Sequence, residues 1–345
     1  MRDALESQAV QTDPGLAPLL LGAAASLEYR LDHYGAAEAA ASGALAASRP
    51  VDRDTKFRCF NVLGSCSHRL GRPADAKGYF LRALKQAQAN ADAHNAAGML
   101  DNLALVETTM GHRENAQRLS IQSLVEHRRL GDFAGEALCL NNLAVQYLDR
   151  REYESARVHL RQGLALCERH GLVSTRALIL LNLVDLAIKT GDYRSAEADA
   201  RPAVEIAEAT GNRLVLCMLK LHLAELDLQR GDLPTARSDL GSALGIAIAL
   251  GGPDPLLEGV LCFAEILAAQ GQMDCARLVL SFATEHPAMP AQGLDEKRAR
   301  LTKWPESAGA APAWPGLELN ELVNRIVVET DVAHAPLIAA LRGAH

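Results

Sequence analysis

Aromatic residues are scarce in this sequence: six Phe, six Tyr and two Trp make up 4% of 345 residues. A core without rings must be built from aliphatic and small side chains, yet the hydrophobic fraction is 49%. Leu and Ala dominate it, and both are strong helix formers, which favours helices packed closely through small side chains. No run of 18 apolar residues occurs, so no membrane-spanning helix is expected. The opening MRDALESQAVQTDPG has no apolar stretch of the kind a secretory signal requires. Cysteines are few and unpatterned: Cys59, Cys66, Cys139, Cys167, Cys217, Cys262 and Cys275 form no CxxC pair and show no Cys/His ligand spacing. Buried reduced thiols in a cytoplasmic protein are the plain reading. Positive charge is in deficit, with a net charge of −7. That argues against direct nucleic-acid binding, which needs a basic face.

Signals of catalysis are missing too. LGRPADAKGYF (70–80) has a Gly and a Lys but not the spacing of a phosphate-binding loop, and no strand precedes it. No GxSxG occurs. His222 and Glu225 share one helical turn without an HExxH or a second such pair, and the eleven histidines are scattered. Alternating strands are not visible. The expectation is a chain that is not an enzyme, with no cofactor and no metal.

What is present is a repeat. The phrases LGRPADA (70–76), MGHRENA (110–116), RREYESA (150–156), TGDYRSA (190–196), RGDLPTA (230–236) and QGQMDCA (270–276) each start 40 residues after the last. An earlier copy, RLDHYGAA (30–37), fits the same frame and puts Ala36 in the column Ala76, Ala116, Ala156, Ala196, Ala236, Ala276. Thirteen residues before the alanines stand Leu63, Leu103, Leu143, Leu183, Leu223 and Phe263, each followed by Gly, Ala or Val. Seven residues after them come Ala83, Ser123, Gly163, Ala203, Ala243 and Ala283. Gly131, Gly171, Gly211 and Gly251 recur between the units. The unit is therefore helix, Gly turn, helix, Gly-containing loop, with glycine where the chain leaves the right-handed helical region. In TGDYRSA, Gly191 permits the reversal, Tyr193 packs across it, and Ala196 lets the two helices approach.

These columns resemble the tetratricopeptide repeat, whose pattern has a Leu, a small residue next, an aromatic three on, then an Ala with a large apolar residue four later. Leu143, Ala144, Tyr147, Ala156 and Leu160 show it best; Leu63, Gly64, Ala76, Phe80 and Ala83 form another copy. The period is 40 rather than the family's about 34, and the early Trp and closing Pro are missing, so each unit carries longer helices or a longer loop. Such longer repeats are found in bacterial regulators, kinesin light chains and Leu-Gly-Asn-repeat adaptors that bind extended peptides. The alternative solenoid of this period, the HEAT type, does not explain the Leu–Ala spacing. The expected fold is all-α: a right-handed solenoid of about seven helix-turn-helix repeats over 16–287, after an N-terminal segment 1–15. A linker and C-terminal capping helices follow over 288–345.

Stacking the amphipathic pairs buries an apolar stripe that no pair can bury alone and leaves a concave face. The resemblance implies that the first helix of each unit lines that face. The residue before the Leu column reads Val62, Asn102, Asn142, Asn182, His222, Cys262. An amide donates and accepts at once, so it pairs with the backbone of an extended peptide, and in peptide-clamping members of the family an Asn at the matching position does so. The alternative is that these asparagines bond neighbouring helices. Three residues on, hence on the same helical face, stand Asp185, Glu225 and Glu265. At the other end Arg58, His68 and Arg69 lie near that face with Asn61 beside them. A groove running from basic to acidic would orient a charged partner; the alternative is an exposed, solvated helix face.

Past TEHPAMP (284–290) the period breaks. LDEKRARL (294–301) reads as a short charged helix, TKWPESAGAAPAWPG (302–316) as a linker, and LELNELVNRIVVE (317–329) as a helix with Asn320 at its N-cap. Trp304, Trp314, Leu317, Leu322 and Ile326 are expected to cover the open end of the repeats. AWPGLELNELV resembles the tail that closes the repeats of bacterial multi-module regulators, LuxR-type and ATPase-linked. In those, other modules precede the repeats, so this chain is a stand-alone homologue, a divergent product or part of a longer protein. The leading functional reading is a regulatory protein- or peptide-binding module. A ligand- or signal-peptide sensor that controls an attached or partner module, and an oligomerisation scaffold forming homo-oligomers, are the alternatives. No membrane partner is expected.

Overall fold

The computed structural model describes residues 16–47, 51–289, 304 and 318–331. The described residues form fifteen α-helices and no strand: α1 Leu16–Arg30, α2 Tyr34–Leu45, α3 Arg53–Arg69, α4 Pro73–Ala89, α5 Ala93–Thr109, α6 Arg113–Leu130, α7 Phe133–Asp149, α8 Tyr153–His170, α9 Val173–Lys189, α10 Tyr193–Thr210, α11 Arg213–Arg230, α12 Leu233–Leu250, α13 Pro253–Ala269, α14 Met273–Glu285 and α15 Leu319–Asp331. From α3 to α13 the helices run 17 or 18 residues and only two or three residues separate them. The extra length of the 40-residue unit thus lies in the helices, not the loops. None of the helices is long and apolar enough to cross a membrane.

Between α1 and α2, and from α3 to α14, each turn holds one left-handed residue, and some turns add a side-chain cap. Gly191 has φ +76, and no bulkier L-residue takes that conformation without strain. Its N–H bonds Ile188 O at 3.0 Å, and Asp192 N–H reaches back to Ala187 O at 2.8 Å, closing the end of α9 in a Schellman motif. The carboxylate of the same Asp192 accepts from Ser195 N at 3.2 Å, so one residue ends a helix and caps the next. Asp232 repeats the device, accepting from Thr235 N at 3.2 Å. Arg151, with φ 60, stands where the other turns of this column carry Gly. The expected packing of Tyr193 across its turn is not what forms: the ring is 38% exposed, and its hydroxyl meets Gln229 Oε1 in the following repeat at 3.3 Å.

The alanine column is buried from Ala76 to Ala276. In the first copy the buried residue is Ala37, not Ala36, which is exposed. The left-handed residue there is Asp32, so both features sit one residue later than the 40-residue frame predicts. Gly64 shows why its column is small: an added Cβ would lie 2.6 Å from the Phe80 ring.

Cα packing divides the chain into two compact units, 1–146 and 147–345. The boundary falls inside α7. In the N-terminal unit α1 pairs with α2, α3 with α4 and α5 with α6, and α2 and α4 pack on the helices that follow them. Small residues and a few rings, such as Ala37, Cys66, Ala76, Phe80, Ala83 and Leu103, fill it. In the C-terminal unit α9–α10, α11–α12 and α13–α14 are the pairs. There α15 packs on α12 and α13, where Leu322, Val323 and Ile326 are fully buried, each contributing about 2 kcal/mol of apolar burial. Trp304 joins that core, and Arg277 donates to its carbonyl at 2.7 Å. The last helix begins at Leu319, so Asn320 lies inside its first turn and is not the N-cap. Trp314, Leu317, the charged stretch 294–301 and the segment 1–15 lie outside the described residues. All seven cysteines are buried and none forms a disulfide.

Candidate functional site

The first helices carry the residues that the sequence reading singles out. In the N-terminal unit Asn61 on α3 and Asn102 on α5 are half-buried, and Asn102 Nδ2 donates to Asn61 Oδ1 at 3.2 Å. The two amides thus tie consecutive first helices to each other. Asn142 on α7 is half-buried at the same register. Arg58 is exposed and donates to Thr55 Oγ1 within its own helix at 3.2 Å. His68 Nε2 meets Thr109 Oγ1 at 3.0 Å, and the Thr109 hydroxyl proton goes to Leu105 O, so His68 is the donor. Burial, and then the neighbouring Arg69 charge, push His68 down to about 4, which keeps its ring neutral. Arg69 is half-buried at the end of α3.

In the C-terminal unit Asn182, Asp185, Glu225 and Glu265 are all half-buried, on α9, α11 and α13, whose first-helix neighbours touch. Asp185 is held by Lys189 Nζ at 2.6 and 2.8 Å, which offsets its charge. Glu225 lies 4.0 Å from His222 Nδ1.

A second polar cluster lies in the N-terminal unit, among residues that the sequence analysis does not single out. His127, at the end of α6, is buried, with Nε2 on Asp101 Oδ2 at 3.0 Å and Nδ1 on Asp132 Oδ2 at 2.7 Å. Cys139 on α7 donates its thiol to Asp101 Oδ1 at 2.8 Å. Asp132 also caps α7, accepting from Gly135 N at 3.1 Å. His94, in the first turn of α5, brings its Nδ1 to 3.2 Å from Asp132 Oδ2. Burial alone would lower the His127 value, but hydrogen bonds and charge from Asp101 and Asp132 outweigh it and raise it. Burial likewise works against the Asp132 carboxylate, and the Gly135 N–H and His127 more than compensate, holding it below its usual range. The Cys139 thiol is pushed far up, by burial first and then by Asp101.

His127 was legible as a break in its column, where it occupies the position of Ala87, Cys167, Ala207 and Ala247. Asp101 was not, because its column holds Asn61 and Asn141 as well as Leu181, Leu221 and Leu261. Gly135 occupies the position of Asn95, Thr175, Val215 and Pro255. An added Cβ at Gly135 would lie 2.1 Å from His127 Nδ1. The fold gathers two sets, His94 with His127 and Asp132, and Asp101 with His127 and Cys139, each with its ligand atoms within 4.8 Å.

Residues 137–170, spanning most of α7 and all of α8, match the family model described as tetratricopeptide repeat. No curated protein matches the chain. Among solved structures it is similar to a Rap protein complexed with Competence and Sporulation Factor, with a TM-score of 0.58, 14% identity, and coverage of 81% of this chain and 74% of that one. It is similar to NprR in complex with its cognate peptide NprX, with a TM-score of 0.57, 16% identity, and coverage of 88% and 84%. The apo form of the quorum sensor NprR from B. thuringiensis aligns at a TM-score of 0.51 and 15% identity, over 92% of this chain and 88% of that one. Such identities establish the fold alone. Helix pairs recur at a 40-residue interval, and the copy over residues 137–170 is a tetratricopeptide repeat.

Proposed function

We propose that this chain is a non-catalytic regulatory module that holds an extended peptide or protein segment against the first helices of its repeats. The observation that carries this reading is a register of half-buried polar side chains on successive first helices. It comprises Asn102 and Asn142 in the N-terminal unit and Asn182, Asp185, Glu225 and Glu265 in the C-terminal unit. An amide half in the protein and half in solvent has donor and acceptor capacity to offer a peptide backbone. Asn61 shares this role by orienting Asn102. The carboxylates favour a segment with Lys or Arg where it meets the C-terminal unit. Lys189 partly offsets the charge of Asp185. Arg58 and Arg69 favour an acidic stretch on the N-terminal unit. Fold similarity to Rap and NprR structures that hold Competence and Sporulation Factor and NprX supports the reading. The same similarity favours a sensing role, in which the bound segment shifts the chain between two conformations. Seven buried thiols without a disulfide fit a cytoplasmic location.

The test is selection from a random peptide library on the whole chain, followed by titration of the enriched peptides against Asn142→Ala/Asn182→Ala. Weaker binding by the double variant with unchanged far-UV circular dichroism supports the reading. Equal binding, or no enriched peptide, refutes it. Sedimentation velocity on the same samples separates binding from self-association.

A further inference from the structure

We propose that the junction of α5, α6 and α7 is a binding site for one divalent transition-metal ion of the zinc class, held by His94 Nδ1, His127 Nδ1 and Asp132 Oδ2. Two imidazole nitrogens on different helices converge on one carboxylate oxygen, at 3.2 and 2.7 Å. A salt bridge between buried His127 and its two carboxylates accounts for Asp101 and for half of Asp132. It does not account for His94, whose side chain is 66% exposed and yet turns Nδ1 inward to the same oxygen. Ligands about 2.1 Å from a tetrahedral ion stand about 3.4 Å apart, so the two nitrogen–oxygen distances need to grow by less than about an ångström to admit one, and all three ligand atoms lie within 4.8 Å of one another.

The surroundings match what such a site requires. A metal-bound imidazole commonly donates its other N–H to a carboxylate, which fixes its tautomer and orientation; His127 Nε2 faces Asp101 Oδ2 at 3.0 Å. Asp101 is steadied in turn by the Cys139 thiol. Asp132 is steadied by Gly135 N–H on Oδ1, which leaves Oδ2 for the ion. The glycine at 135 clears the space that a side chain would take from His127 Nδ1. The other set, Asp101, His127 and Cys139, is wholly buried and offers no open side for an ion to enter. The exposed edge of His94 provides that side, and a water completes the coordination. On binding, the ion replaces the Nδ1 proton of His127, which leaves to solvent, and neutral His94 carries its single proton on Nε2. The ion would fasten the start of one repeat to the start of the next.

The probe is Co²⁺, whose tetrahedral complexes absorb in the visible, titrated into the full chain after chelator treatment and displaced with Zn²⁺. The expected result is one equivalent with a tetrahedral spectrum, displaced by one equivalent of Zn²⁺. Asp101→Asn should weaken Co²⁺ binding about 10–100-fold, and His94→Ala should weaken it more. His94 lies at a helix start with its ring in solvent, so its variant keeps the fold, checked by circular dichroism, even if Asp132→Asn does not. A wild-type chain that takes up no Co²⁺, or a folded His94→Ala that binds it as tightly as wild type, would overturn the proposal.

Discussion

Two junctions at the same place in the 40-residue frame, one in each unit, are filled with opposite chemistry. At α5–α6–α7 the positions are Asp101, His127, Gly135 and Cys139; 80 residues on, at α9–α10–α11, they are Leu181, Ala207, Val215 and Leu219. All four of the later residues are buried. The apolar junction shows that this geometry closes without any charge. A buried ion network is rarely more stabilising than well-packed apolar residues of similar volume. The polar junction therefore gives the fold nothing that the apolar one does not already give, which points to a role beyond packing.

The sharpest way to break the comparison is to remove one partner. Asp101→Leu strands His127 beside a single carboxylate and takes the acceptor from Cys139. It should destabilise α5–α7 by about 3–5 kcal/mol, read as lost hydrogen-exchange protection, since repeat arrays do not unfold as one unit. Copying the apolar junction with Asp101→Leu/His127→Ala/Gly135→Val should recover most of that. If the triple variant is no better than the single one, the two junctions are not equivalent scaffolds.

Gly135→Val alone comes next, at about 1–3 kcal/mol from overpacking, because its Cβ meets the His127 ring. Adding His127→Ala should remove most of the cost, measured the same way.

Acid separates the units. Glu107 is buried and bonded by Lys77 Nζ at 2.7 Å and His112 Nδ1 at 2.6 Å. Burial would raise its pKa, but these partners outweigh it and lower it. Its contribution is present above the unfolded carboxyl value and is lost as pH falls through the lower folded value. Asp227 is raised, by burial and then by Asp239 and Asp232. Its charged form costs stability above the folded value, and protonation relieves that cost as pH falls. Between about pH 6 and pH 3, spanning ordinary carboxyl values, amides near Glu107 on α5 should lose protection relative to those near Asp227 on α11. Glu107→Gln should flatten the α5 response. A parallel loss at both sites would contradict the assignment.

The smallest contrast is between turns. Gly191→Ala should cost about 1 kcal/mol for a side chain in the left-handed region. Arg151→Gly, at φ 60, should cost nothing or gain a few tenths of a kcal/mol, because relief of strain is offset by the entropy of a freer unfolded chain. Thermal shifts of the two variants check this.

The architecture was legible because it is written at a fixed period. Ala76, Ala196 and Gly191 show their roles by position, and the structure places them where a helix-turn-helix unit needs them. The slip at Ala36 was not legible, because one missing residue is invisible in an Ala-rich stretch until burial shows which alanine faces inward. The pairing of Asn102 with Asn61 was also hidden: its partners are 41 residues apart, off the 40-residue ruler by the offset between neighbouring helices. The His94–His127–Asp132 group escaped a search for ligand spacing because its members come from two helices and the connection before a third. Only His127, a misfit in the column of Ala87, Cys167, Ala207 and Ala247, marked it.

The double duty of Asp192 has a consequence for how such a chain changes length. When one residue closes a helix and its neighbour's cap is the same residue, the turn contains no slack. Losing or gaining one residue there rotates everything after it by about 100° and turns buried alanines out to water. Small insertions and deletions are therefore excluded from these turns, and whole units are the natural step of growth or loss. The one-residue slip between Ala37 and Ala76 is consistent with this rule, because the left-handed residue and the buried alanine of the first turn shift together, to Asp32 and Ala37.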